Sequence, residues 1–174
     1  METDIQHVPT FDEVAALMRG AAVKIGEQLP PGGAWVPVMV GQYADGAITT
    51  PPIDLTEHFD SDAVRHRFYR GLPEYIWQCD LRTVALVLPA WATTIGPNAD
   101  GTMPDWQDRA RPRDDPNRVD VVTVTVASAE RVVSWDADVT RTPAGPRLSG
   151  DWRMVEHDGV YCGELVGALR RAFA

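Results

Sequence analysis

The sequence predicts an α+β fold in which a mixed, mainly antiparallel sheet of about six strands is flanked by three helices. Three observations predict it. A capped amphipathic helix opens the chain, an interior run at residues 83–88 is apolar on both faces, and the last third alternates apolar with polar residues between turns. With 174 residues, the expectation is a single domain spanning 1–174, long enough to bury a core without disulfide or metal staples.

The first helix starts at Thr10 and Glu13, whose spacing allows each side chain to satisfy a free backbone N–H of the other. Val14, Leu17, Met18, Ala21, Ile25 and Leu29 then form one apolar stripe, and Pro30, Pro31, Gly32 and Gly33 end it. Residues 35–40 and 47–50 flank Asp45-Gly46. That pair marks a hairpin, because its tight turn needs positive φ. Pro37 removes one N–H and points to an edge or to a strand position facing no partner. Asp60 or Ser61 is positioned to cap a second helix bearing Val64, Phe68 and Leu72, with a break or restart expected at Pro73 before Tyr75, Ile76 and Cys79. The run 83–88, Thr-Val-Ala-Leu-Val-Leu, has the pattern of a central strand covered on both faces. A strand, a helix and a strand in this order imply one right-handed crossover.

Residues 96–118 break the pattern. This stretch holds Pro97, Pro104, Pro112 and Pro116 and five aspartates against four arginines. A long charged loop of this kind in a compact domain is usually a functional segment or a disordered one. Beyond it, residues 119–126 are largely β-branched; Val133, Trp135, Ala137 and Val139 alternate with polar residues, as do Leu148, Gly150, Trp152 and Met154. Residues 143–146, Pro-Ala-Gly-Pro, turn between the last two segments, and a final helix is expected from about Val160 with Tyr161, Leu165, Leu169 and Phe173 at intervals of four.

Composition limits the function. The net charge of −9 argues against non-specific nucleic-acid binding, which needs a basic face. No apolar run is long enough to span a membrane. The acidic N-terminus lacks the regions of a signal peptide, and Cys79 and Cys162 form no metal-binding pattern. A cytoplasmic protein with reduced cysteines, no cofactor and no metal is therefore expected. His7, His58, His66 and His157 are dispersed, and no phosphate loop, GxGxxG, GxSxG or HExxH occurs.

Candidate binding residues concentrate around the charged loop: Trp91, Trp106, Arg109, Arg111, Arg113, Asp115 and Arg118. Arginine grips carboxylates and phosphates through a planar fork, tryptophan supplies a large apolar anchor, and both dominate interface energies. In crossover sheets ligands gather beyond the carboxyl ends of parallel strands, and Trp91 and Thr93 would sit at such an end. A solvated, self-paired loop explains the same composition. Ala90-Trp91, Pro112, Pro116 and Arg118 resemble a loose family of small uncharacterised bacterial and phage proteins. Its recurrent features are a strand ending in Glu-Ala-Trp and a Pro-Ser-x-x-Pro-x-Arg-x-Glu segment before the next strand. The resemblance runs over residues 36–152; Pro89 and Asp120 stand where that family has glutamates. It implies the domain outline and no activity. The expected function is a non-enzymatic binding or accessory protein, encoded by a phage or mobile element on that resemblance, with a protein or small anionic ligand as partner. The alternatives are an Asp/Arg-dependent hydrolase or transferase assisted by Mg²⁺, and a structural subunit of a larger assembly. Sequence leaves the oligomeric state open.

Overall fold

A computed structural model describes residues 7–51, 55–58, 61–93, 96–103, 114–158 and 163–174. Helix α1 (Phe11–Gln28) is followed by strands β1 (Val38–Gln42) and β2 (Ile48–Thr49), the single turn α2 (Leu55–His58) and helix α3 (Asp62–Gln78). Strands β3 (Thr83–Ala92), β4 (Val119–Ser128), β5 (Val132–Thr142), β6 (Gly145–Leu148) and β7 (Arg153–Glu156) come next, and helix α4 (Glu164–Ala172) closes the series. The sheet runs β2-β1-β3-β4-β5-β6, with β7 also on β5. Each neighbouring pair is antiparallel. The crossover through α2 and α3 joins β2 to β3, which point the same way with β1 between them.

Two cores lie on opposite faces of this sheet. On one face α1 presses Val14, Met18 and Ala22 against Val87, Val122, Val124 and Trp135. On the other, α3 and α4 press Phe68, Leu72, Ile76 and Leu169 against Val84, Leu86 and Leu88. Double cover is why β3 is apolar on both sides: Val84 and Leu86 are 0% exposed and Leu88 7%. Side chains alternate across a strand, so even-numbered residues of β3 serve one core and odd-numbered residues the other.

The capping box forms as the sequence predicts, with Glu13 accepting from the Thr10 N–H at 2.7 Å. The stripe of α1 differs from expectation: Leu17 is 55% exposed, whereas Ala15, Ala22 and Gly26 are buried. Trp35 explains the small residues at Ala22 and Gly26. Its ring lies over Gly26, where a Cβ would stand 2.4 Å from Cζ2, and its indole N–H bonds the Ala22 carbonyl at 2.9 Å. Small residues face the sheet because a large ring fills the space between. Helix α3 also runs unbroken through Pro73; Leu72 and Ile76 on either side stay in phase and buried, so packing holds the helix together there.

The strand expected over residues 148–154 is two strands. Between the pairs Val139–Leu148 and Asp136–Arg153, four residues (149–152) oppose two of β5 (137–138). The Ser149 N–H still donates to the Asp138 carbonyl at 2.8 Å, and the Asp138 N–H to Ser149 Oγ at 3.2 Å. This is a bulge that shifts the register by an even number and so keeps the faces. Gly145 opens β6 with φ +116°, and a Cβ there would lie 2.3 Å from the Leu29 carbonyl oxygen. Only glycine fits that crossing of the α1 C-terminus. The final helix begins at Glu164; Val160 and Tyr161, expected at its start, lie outside the described residues, as does Cys162. Cys79 is a half-buried free thiol beside the α3 core.

Candidate functional site

Strand β3 outruns its neighbour. β1 pairs with residues 83–87 of β3 only, while β4 pairs with all ten from Thr83 to Ala92. Residues 88–92 therefore have one edge on which, among the described residues, no strand lies. The direction of the backbone groups at that edge follows from the register. The Tyr43 N–H bonds the Ala47 carbonyl at 3.0 Å, which turns alternate residues of β1, including Gln42, toward β3. Its partner Thr83 faces back, and so do Ala85 and Val87. Continuing the alternation, Pro89 and Trp91 direct their main-chain groups to the open side. The Ser128 N–H to Arg131 carbonyl bond, at 3.0 Å, fixes the same parity from the β4 side. Pro89 sits where its missing N–H costs no ladder bond, which is the condition under which a sheet tolerates proline.

A groove of about 920 Å³ lies along this edge and wraps around it. From the α1 face come Trp35, Pro89, Trp91, Asp120, Val122 and Arg141; from the α3 face come Arg65, Tyr69, Leu88, Ala90 and Thr123. Trp35 and Leu88 are buried at its base, while Trp91 is 48% exposed at its rim.

The charges of the groove are organised in pairs. Arg141 Nη2 meets Asp120 Oδ2 at 2.9 Å, and its Nη1 donates to the Gly33 carbonyl at 3.3 Å. Arg65 pairs with Asp62 one turn before it on α3. Both pairs are largely exposed, so each contributes on the order of 1 kcal/mol or less to stability and acts mainly by orienting its arginine. Burial pushes the Tyr69 hydroxyl up to about 12, opposed by Arg65 and reinforced by Glu164. Tyr69 is thus a phenol, able to donate, throughout the physiological range.

Of the residues singled out from sequence, the structure brings Trp91 and Arg118 together: the Arg118 guanidinium carbon stands 4.8 Å from the Trp91 ring centroid. Asp115 sets this up. Its carboxylate accepts from the Asn117 N–H at 2.8 Å and its carbonyl from the Arg118 N–H at 3.2 Å, making a tight turn that delivers Arg118 to the ring. Asp115 is therefore a positioning residue. Trp106, Arg109, Arg111 and Arg113 lie outside the described residues. Trp91 is the next-to-last residue of β3, at the carboxyl end of the strand. Sequence reasoning missed Arg65 and Tyr69 on α3, Arg141 on β5 and Trp35 before β1, three separate segments with nothing local to mark them.

Compared with known proteins, the chain matches no protein-family model, no curated protein and no solved structure. Among the described residues no three His, Cys, Asp or Glu side chains stand close enough to hold a metal ion, and no helix is long and apolar enough to cross a membrane. His66 is paired with Glu164 and His7 with Glu13, and none of the four lines the groove. His157 shares a hydrogen bond with Ser134 at 2.9 Å, and Ser134 another with Thr125 at 2.9 Å, on β4, β5 and the end of β7.

Proposed function

We propose that this chain is a binding protein whose working surface is the groove at the end of β3, with Trp91 as its apolar anchor and Arg118, stacked on it, as its directional group. One observation carries this: a half-exposed tryptophan, stacked by an arginine, forms the rim of a groove whose base is apolar and already packed. Tryptophan and arginine in such a setting are the residue types that concentrate binding energy. The arginine–tryptophan contact also holds both side chains in place beforehand, which lowers the entropy lost on binding. The hydrolase or transferase reading has less support, because Asp120 and Asp62 each neutralise an arginine and Tyr69 stays protonated.

The test is affinity capture from the native host with the full chain, its Trp91→Ala variant and its Arg118→Ala variant, each first shown by circular dichroism to fold. The partner retained by the wild type should be weakened about thirtyfold by Trp91→Ala, the effect of an anchor worth about 2 kcal/mol. Retention by both variants at the wild-type level would place the working surface elsewhere.

A further inference from the structure

We infer that the occupant of the groove is an extended polypeptide segment of a partner protein, added as a strand to the edge of β3 on which, among the described residues, no strand lies; this rests on the groove being the working surface. The first ground is shape. The groove takes its lining from both faces of the sheet, Pro89 and Trp91 on one and Leu88 and Ala90 on the other. A ligand lying along a sheet edge between two such walls needs groups on alternate sides, which is what a strand has. The second ground is the backbone. Pro89 turns its carbonyl, and Trp91 its N–H and carbonyl, toward the groove, in line with the ladder that β1 occupies up to Val87. Main-chain groups in that direction are the recognition elements of strand addition.

The third ground is charge. Asp120 with Arg141, and Asp62 with Arg65, make the groove's walls neutral overall. A free phosphate or carboxylate would have to compete with an aspartate for either guanidinium. An uncharged amide chain with apolar side chains leaves both pairs intact and covers Trp91. Pro89 restricts the edge to one outward N–H over residues 88–92, so it admits a short segment in one register and is a poor template for indefinite sheet growth.

The experiment uses the isotope-labelled full chain and two probes. A random library of short linear peptides is panned on the chain, and the selected peptides are titrated by NMR. The result expected is peptides of alternating apolar and polar character that shift the Trp91 backbone amide and slow its exchange. A single N-methyl group should weaken their binding about tenfold at every second residue and little in between. Failure to select any peptide, loss of binding without a two-residue period, or a footprint away from residues 88–91 would overturn the inference. Inorganic phosphate is the second probe. If phosphate shifts Arg141 and Trp91 while no peptide binds, the strand-addition inference fails and the groove survives as an anion site. If neither probe perturbs the groove, both it and the binding surface are refuted.

Discussion

Replacing Leu86 by alanine should destabilise the protein by about 2–5 kcal/mol. Leu86 is 0% exposed, in the middle strand of the sheet, paired with Met39 on one side and Thr125 on the other and roofed by the core that α3 and α4 complete. The change removes three carbons, a transfer loss of about 2.4 kcal/mol at about 0.8 kcal/mol per methylene. A cavity term adds to this, because a strand held by ladders on both edges has little room to collapse inward. Leu17→Ala is the matched control. The same three carbons leave a side chain that is 55% exposed, so the cost should fall within about 0.5 kcal/mol. Urea unfolding followed by circular dichroism measures both, with an unchanged dependence on denaturant required for the comparison. A cost below about 1 kcal/mol for Leu86→Ala, or equal costs for the two variants, would refute the double cover of β3 and the placement of Leu17.

Gly145→Ala should lower the melting temperature and cost more than about 1 kcal/mol, since φ +116° is strained for alanine and its Cβ would meet the Leu29 carbonyl oxygen at 2.3 Å; an unshifted melt would mean that α1 and β6 do not cross so closely. Burial and, after it, Arg170 hold His157 below its usual value, against the opposing pull of Asp136 and Asp158. Its folded form therefore resists protonation, and stability that is complete above about pH 6.5 should be lost as pH falls through the depressed folded value. Urea unfolding across that range, wild type against His157→Asn, checks the sign; a wild type that gains stability relative to the variant on acidification would reverse it. Asp115→Ala should leave the urea midpoint within the effect of a lost turn, about 1 kcal/mol, yet reduce partner capture as Arg118→Ala does, because the same turn delivers Arg118 to Trp91.

What sequence reveals here depends on how far apart the cooperating residues are. The capping box of Thr10 and Glu13 and the double cover of residues 83–88 are legible because a cap spans one turn and strand burial repeats every second residue. Leu17 misleads because apolar spacing alone does not say which arc of the helix meets the sheet; the buried face runs through Val14, Ala15, Met18, Ala22 and Gly26, and Leu17 lies off it. The break at 149–152 is hidden because a bulge of even register keeps the alternation intact on both sides of it. Trp91 and Arg118 are recognisable from the chain as neighbours of one loop. Arg141, Tyr69 and Arg65 reach the same groove through the ordering of strands and the crossing of α3, relations that no local pattern encodes.

The bulge has a wider consequence. Beyond β5 the rim of the sheet is cut into β6 and β7, each four residues long and staggered against the other. A neighbouring molecule approaching from that side finds no straight backbone row longer than either piece, and following one piece carries it off the other. The exposed apolar side chains Met154 and Val155 therefore sit on a strand four residues long, which offers a short template for pairing with another chain. The interruption acts as a steric insulator.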